Sequence, residues 1–81
     1  SEKFQRGLYV RLKCLRMELA RQQRVPAYVV FSDATLSGMC RLLPADNAEL
    51  LRVPGVGEEK CRRYGKRFLY EIANYLSENP D

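Results

Sequence analysis

The chain has 81 residues, three cysteines, no histidine and a formal net charge of +4 at pH 7. A chain of this length forms one domain with a small core, because folding removes only about 60 to 65% of its surface from water. The sequence contains no apolar run of about 18 residues and no apolar leader segment, so we expect neither membrane insertion nor export, and a cytoplasmic location.

The three cysteines, Cys14, Cys40 and Cys61, form no C-x-x-C pair. Their odd number argues against a disulfide framework, and the absence of histidine argues further against a zinc site. Each cysteine stands among apolar residues at helical spacing, so we expect all three to be small buried hydrophobic residues. We predict neither a metal nor a cofactor.

A long amphipathic helix is predicted over residues 3–23. Its apolar residues recur at i, i+4, i+8, i+11 and i+15, a spacing that an α-helix gathers on one side. These residues are Phe4, Leu8, Leu12, Leu15 and Leu19. A second apolar row, Val10, Cys14 and Met17, favours a central helix packed on two sides, and a partner-binding surface is the alternative.

Val25 and Pro26 should end this helix, because proline lacks an N–H and its predecessor avoids helical angles. Residues 27–31 are rich in β-branched and aromatic side chains but too short to pair as a strand. They predict an extended or 3₁₀ connector in which residues 29–31 are buried. Tyr28 is the aromatic residue best placed to stack on an unpaired base, and a half-buried tyrosine bonded to a helix end is the alternative.

Two shorter helices follow. Ser32 or Asp33 caps the first, which ends at Pro44. Its apolar stripe consists of Leu36, Met39, Cys40 and Leu43. Gly38 within it marks either a close approach of two backbones or a tolerated position. Asp46 and Glu49 form a capping-box-like start for a helix over residues 47–52, in which Leu50 and Leu51 should face inward.

The turn V-P-G-V-G, residues 53–57, resembles the loop of a helix-hairpin-helix. Pro54 starts the turn, and Gly55 and Gly57 should allow backbone angles that are closed to other residues. With little side-chain cover around Val56, backbone N–H groups and the positive end of the next helix dipole can face a phosphate. An ordinary turn between helices is the alternative. Glu58 and Glu59, which open that helix, would repel a phosphate docked there.

The last helical run is basic at its start. Its cations are Lys60, Arg62, Arg63, Lys66 and Arg67. Lys60, Arg63 and Arg67 share one face, which is either a phosphate-binding surface or simply solvated. The apolar positions continue with Cys61, Tyr64, Phe68, Leu69, Ile72, Tyr75 and Leu76. Gly65 is expected to divide the run into a fourth and a fifth helix, and residues 78–81 should be frayed.

These patterns predict an all-α fold, a compact bundle of about five helices with a helix-hairpin-helix-like turn, over residues 1–81. Residues 1–31 carry seven lysines and arginines against two acids, residues 32–59 two against five, and residues 60–81 five against three. If the first and last helices lie side by side, their cations, Arg6 and Lys13 included, form one positive surface suited to a polyanion. Every acid of the middle segment stands at a helix start, and no catalytic motif is present, so we predict no catalytic residue and no enzyme activity in this domain.

Three segments together resemble a known family. They are V-P-A-Y-V-V-F-S-D-A-T-L at residues 25–36, E-L-L-R-V-P-G-V-G-E-E-K-C-R-R-Y-G at residues 49–65, and F-L-Y-E-I at residues 68–72. The chain is similar to the HRDC (helicase and RNase D C-terminal) domain over nearly its whole length, and the first segment most resembles the bacterial RecQ branch.

The resemblance implies a small helical bundle attached to a helicase core, which binds single-stranded or branched DNA weakly and guides substrate choice in repair and recombination. It places Tyr28 on the DNA-facing side and matches the family's hairpin with Val53, Gly55, Val56 and Gly57. The family often has a second proline where Ala27 stands and a large residue where Gly38 stands.

Three functions follow as hypotheses. The first is a non-catalytic nucleic-acid-binding module of a RecQ-like ATP-dependent DNA helicase, with Tyr28, the hairpin and the basic helices as its site. The second is a protein-docking module that contacts the helicase core of the same polypeptide, or a repair protein, through the row Val10, Cys14 and Met17 and the acidic middle segment. The third is an RNA-binding domain of an RNase D-like exonuclease. The expected location is the bacterial nucleoid, or the nucleus of a eukaryote.

Overall fold

The computed structural model describes residues 1–80, which form five α-helices and no strand. The helices are α1 (Glu2–Gln23), α2 (Ala27–Val30), α3 (Asp33–Leu42), α4 (Asn47–Leu50) and α5 (Glu58–Glu78). The predicted all-α fold class is therefore confirmed. Among the described residues, no helix is both long and apolar enough to cross a membrane.

Helix α1 begins and ends as its sequence predicts. The Ser1 hydroxyl accepts a hydrogen bond from the Phe4 N–H at 3.2 Å, which satisfies one of the donors left free in the first turn. At the other end Arg24 adopts the left-handed conformation (φ 57°), and its N–H bonds carbonyls of the last turn. The predicted apolar stripe is buried from Leu8 to Leu19, and Phe4 is half-buried.

Helices α1 and α5 lie side by side and antiparallel. At one end the rings of Phe4 and Tyr75 meet edge to face with centroids 5.1 Å apart, and the Tyr75 hydroxyl donates to the Phe4 carbonyl at 2.8 Å. At the other end the Tyr64 hydroxyl donates to Gln23 Oε1 at 2.7 Å. The start of α5 therefore lies beside the end of α1.

The core is built on α1, which packs against α2, α3 and α5. Phe31, at the end of α2, is fully buried and meets Tyr64 and Phe68 edge to face, with centroids 5.8 and 5.0 Å away. Such aromatic pairs contribute about 0.5 to 1.5 kcal/mol beyond their buried area. Helix α2 and Phe31 therefore pack between α1 and α5.

Two predictions of secondary structure are wrong, the extended connector after Pro26 and the break at Gly65. Ala27–Val30 form one turn of α-helix and not an extended segment, although the bond from the Val29 N–H to the Pro26 carbonyl at 3.0 Å is of the 3₁₀ type. Burial of Val30 against α1 outweighs the local preference for extended structure. Val29 itself is only half-buried. Gly65 does not divide the last run, since α5 is continuous from Glu58 to Glu78.

Gly65 instead lets α4 approach α5. A Cβ atom at Gly65 would lie 3.3 Å from Leu50 Cδ2. The predicted number of helices is thus correct, but α2 supplies the fifth one. The third predicted helix is also shorter than expected, and Leu51 is exposed because the chain turns away directly after Leu50.

The second apolar row of α1 lies in solvent. Val10 is 59% exposed, Met17 is 45% exposed, and Cys14 is exposed as well, so the prediction of packing on two sides is wrong. All neighbouring helices pack on the opposite, leucine-rich side. The prediction that all three cysteines are buried is wrong for Cys14 and confirmed for Cys40 and Cys61. Burial raises the pKa of the Cys40 thiol to about 11. The predicted fraying of residues 78–81 stays a prediction, and Asp81 lies outside the described residues.

Candidate nucleic-acid interface

The hairpin between α4 and α5 is fixed from both sides. Asp46 Oδ1 accepts from the Glu49 N–H at 2.9 Å, while Glu49 Oε1 reaches back to the Ala45 N–H at 2.8 Å. This is the predicted capping arrangement with its return bond one residue earlier. Val53 and Val56 are buried and anchor the two sides of the turn.

Gly55 is the residue that the turn requires. Its φ is +93°, and a Cβ atom there would lie 2.0 Å from Thr35 Oγ1. The Thr35 hydroxyl donates to the Pro54 carbonyl at 3.0 Å, so this residue of α3 fixes the position of the loop. Gly57, in contrast, has φ −90° and open space where a Cβ would stand, so the prediction that it needs unusual angles is wrong.

The position of Gly38 is explained by the same contact between α3 and the loop. A Cβ atom on Gly38 would lie 3.0 Å from Val53 Cγ1. The close approach is therefore that of the Val53 side chain to the backbone of α3, and not the approach of two backbones that the sequence suggested as one possibility. The hairpin therefore rests on α3 at two points, near Gly38 and at Thr35.

The N-terminus of α5 opens towards solvent. Gly57 is its N-cap and no side chain caps it, so the first N–H groups of α5 have no side-chain acceptor among residues 1–80. Glu59 is turned along the helix, where Arg62 and Arg63 bond its two oxygens, and the Arg62 hydrogen bond is the main reason that its pKa is lowered. Glu58 is exposed with no hydrogen-bond partner in the described chain, so one negative charge remains near this helix end.

Tyr28 projects from α2 into solvent. Its side chain is 70% exposed and it donates no hydrogen bond to a helix end of the described chain, so the half-buried alternative does not apply. The segment that carries it is held firmly. Arg16 is buried, donates to the Phe31 carbonyl at 2.9 Å and pairs with Asp33 at 2.8 Å. Tyr28 is therefore an exposed ring on a fixed support.

The structure brings Tyr28, the hairpin and the start of α5 to the same end of the bundle. Lys60 Nζ lies 5.9 Å from the ring centroid of Phe31, which follows Tyr28 by three residues in the sequence. The hydrogen bond from Thr35 to the Pro54 carbonyl joins the hairpin to the start of α3. Arg6 is not part of this end, because it lies about 25 Å along α1 from Gln23 at 1.5 Å per residue. Lys13 lies midway along α1, with its Nζ 5.5 Å from the Tyr9 ring centroid.

The cations of α5 differ in how they are paired. Arg62 and Arg63 contact Glu59, and Arg67 contacts Glu18 at 3.3 Å. Exposed pairs of this kind contribute only about 0 to 1 kcal/mol, so a phosphate can replace the carboxylate. Lys60 and Lys66 have no carboxylate partner among residues 1–80. The positive surface of α5 is therefore only partly neutralised.

A further aromatic residue on α5 was not among the predicted site residues. Tyr70 is 67% exposed, nearly as much as Tyr28. The signal for it was present in the sequence, since Tyr70 continues the spacing of Lys60, Arg63 and Arg67 at i+10.

Residues 5–72 match the family model described as the HRDC domain. The chain belongs to the HRDC family. The resemblance seen in the sequence is thus confirmed, and the five-helix bundle is the HRDC fold.

Several relatives of this HRDC domain carry helicase names. It is 48% identical over 68 residues to the ATP-dependent DNA helicase RecQ of Bacillus subtilis (strain 168), a match that covers 84% of the chain and 12% of that protein. It is 39% identical over 72 residues to RecQ of Haemophilus influenzae, covering 89% of the chain and 12% of that protein. The ATP-dependent DNA helicase UvrD2 of Mycobacterium tuberculosis is 47% identical over 62 residues, covering 76% of the chain and 9% of that protein. The chain thus spans about a tenth of the length of these curated relatives.

A solved structure is also similar. The "D. radiodurans RecQ HRDC domain 3" superimposes with a TM-score of 0.86 at 39% identity, covering 89% of this chain and 95% of that one. The likeness extends over almost the whole of both chains, so the helix arrangement described above is that of a RecQ HRDC domain.

Proposed function

We propose that this HRDC domain is a non-catalytic accessory domain that binds single-stranded or branched DNA weakly, and so guides substrate choice. The observation that carries the proposal is the arrangement at one end of the bundle. There an exposed tyrosine, a glycine turn and an uncapped, lysine-bearing helix start lie together. These groups bind the two parts that every nucleotide offers, its base and its phosphate.

Each group has a distinct role in this proposal. Tyr28 stacks on an unpaired base, while Lys60 and the exchangeable guanidinium groups of Arg63 and Arg67 neutralise phosphates. The backbone N–H groups at Gly57 and the first turn of α5 add hydrogen bonds to a phosphate oxygen. The site has no array of long polar side chains for a groove, so binding should be independent of sequence. One stacked base and a few phosphates predict micromolar or weaker affinity that falls steeply with salt.

The helicase names of the relatives favour DNA as the ligand over the structured RNA of an RNase D-like enzyme. We infer that this domain is part of a longer protein, an ATP-dependent DNA helicase acting in DNA repair or recombination, and that the helicase core is its partner in the same polypeptide. The RecQ and UvrD2 relatives match almost equally well, so the inference concerns helicases of either type. A helicase of this kind works on the bacterial nucleoid in the cytoplasm, or in the nucleus of a eukaryote.

The test is fluorescence anisotropy of a labelled single-stranded oligonucleotide titrated with the domain at two salt concentrations. We expect binding that weakens with salt, and a loss of about 1 to 3 kcal/mol in Tyr28→Ala. Tyr28→Phe, which keeps the ring, should bind normally, and so should Leu42→Ala, which removes an exposed apolar side chain on α3. Arg63→Glu with Arg67→Glu should weaken binding through the phosphate contacts. An absence of binding at low salt would refute the proposal, and unchanged affinity in Tyr28→Ala would refute the stacking role.

A second candidate function rests on the exposed row of α1. Val10, Cys14 and Met17 form an apolar stripe in solvent, which suits docking on the helicase core or on a repair protein. This function predicts chemical-shift changes along α1 on addition of the helicase core, and none on addition of DNA. Chemical-shift changes that appear on addition of DNA and are confined to Tyr28 and the start of α5 would instead support the DNA-binding function.

A further inference from the structure

Two tyrosines of this domain are unlike the others. Of the five tyrosines in the chain, Tyr28 and Tyr70 are 70% and 67% exposed, whereas Tyr9, Tyr64 and Tyr75 are buried or half-buried. The hydroxyl groups of Tyr64 and Tyr75 are bonded across the bundle, but that of Tyr70 has no hydrogen-bond partner within residues 1–80. The ring of Tyr70 therefore has little role in holding the fold.

Tyr70 stands on the basic face of α5. Lys60, Arg63, Arg67 and Tyr70 recur at i, i+3, i+7 and i+10, so they form one stripe along the helix. Helical side chains lean towards the N-terminus, which places the Tyr70 ring over the turn that contains Lys66 and Arg67. The next residue along this stripe, at i+14, is the half-buried Asn74, which is too small to cover the exposed ring.

The acids near Tyr70 are occupied elsewhere. Glu71 is bonded by Arg11 at 2.7 Å, and Glu78 is bonded by the same guanidinium at 2.8 Å. Arg11 belongs to α1, so both carboxylates face the seam between α1 and α5 and away from the solvent side of α5. Arg67, one turn before Tyr70, is paired with Glu18 at 3.3 Å, whereas Lys66 has no carboxylate partner among residues 1–80. An unpaired positive charge therefore remains within one turn of the ring, where a phosphate next to a stacked base can pair with it.

We propose that Tyr70 is a second stacking residue for single-stranded nucleic acid, which extends the binding surface from the hairpin along the outer side of α5. The inference rests on the proposed function and adds a path for the strand. Tyr70 lies thirteen positions after Gly57, about 20 Å along the helix axis. At about 3.4 Å per stacked nucleotide, a strand of about six nucleotides covers that distance.

The test measures the affinity for an oligothymidine of about 12 nucleotides, long enough to reach both tyrosines. We expect Tyr70→Ala to weaken binding about 5- to 150-fold, the range for one lost base stack. Tyr70→Phe should bind as the unchanged protein does, and Tyr70→Leu should bind as weakly as Tyr70→Ala. Leu42→Ala, on α3, serves as the matched control for removal of an exposed apolar side chain, and thermal unfolding shows that each variant is folded.

The possible outcomes separate this inference from the proposed function. If Tyr28→Ala weakens binding and Tyr70→Ala does not, the second stacking position is wrong and the proposed function stands. If Tyr70→Leu binds normally, the contact is apolar and the stacking role is overturned. If the unchanged protein does not bind the oligothymidine, both proposals fall together.

Discussion

Gly55→Ala tests whether the hairpin conformation depends on one glycine. Two costs follow from the structure. The backbone at φ +93° costs about 1 to 3 kcal/mol for a residue with a side chain. In addition, the new methyl group would lie 2.0 Å from Thr35 Oγ1, so the threonine must rotate and give up its bond to the Pro54 carbonyl, about 1 kcal/mol more.

The expected loss in free energy of unfolding is therefore about 2 to 4 kcal/mol. For a domain of this size that lowers the melting temperature by roughly 8 to 30 °C. Urea unfolding followed by circular dichroism measures the change directly. Adding Thr35→Ala removes the atom that clashes, so a double-mutant cycle should return a coupling of about 1 kcal/mol.

Gly57→Ala is the matched control, two residues away in the same turn. Its φ is −90° and a Cβ atom meets nothing within 4 Å, so its stability should change by less than about 1 kcal/mol. Equal losses in the two variants would refute the reasoning, because the left-handed angle and the contact with Thr35 would then not be the cause.

Three other outcomes are expected. Arg16→Met should lower the free energy of unfolding by about 1 to 3 kcal/mol, because the buried Phe31 carbonyl loses its donor; an unchanged urea midpoint would contradict this. Cys14 should be the only thiol of the native protein that reacts rapidly with a thiol reagent, as mass spectrometry of the labelled peptides would show. Hydrogen bonding from Arg11 lowers the pKa of Glu78, so Arg11→Gln should return that pKa to about 4.5 in an NMR titration. Because the pKa of the folded state is the lowered one, the stabilising effect is complete above pH 4.5 and disappears as the pH falls through the lowered value, and an identical titration in both proteins would contradict the pairing.

Much of the fold was predictable because it depends on local spacing. The leucine stripe of α1, the cap that Ser32 forms by accepting from the Thr35 N–H, and the positive φ of Gly55 each follow from a rule that acts within a few residues. The failures come from contacts between distant residues. Residues 27–30 form a helical turn because Val30 packs on α1. Gly65 leaves room for Leu50, which is fifteen residues away in the sequence.

The candidate site shows the same division. The exposure of Tyr28 and the special angle of Gly55 follow from their immediate neighbours. The grouping of Arg6 and Lys13 with the last helix was inferred from a count of charges, and a count carries no distances along a 22-residue helix. The exposure of Val10 and Met17 likewise could not be predicted, because spacing alone does not show how many partners surround a helix. Whether the site residues bind nucleic acid stays a prediction.

The antiparallel pairing of α1 and α5 has a mechanical consequence. Ser1 and Pro80 line the same groove, at the end of the bundle where Phe4 meets Tyr75. Tyr28 and the hairpin lie at the opposite end of a molecule 35 Å long. Polypeptide joined at either terminus would therefore act as a tether on the side away from the tyrosine. On a flexible tether the hairpin end would move through an arc of roughly the length of the bundle, so the proposed site would reach a ligand at a distance from the point of attachment.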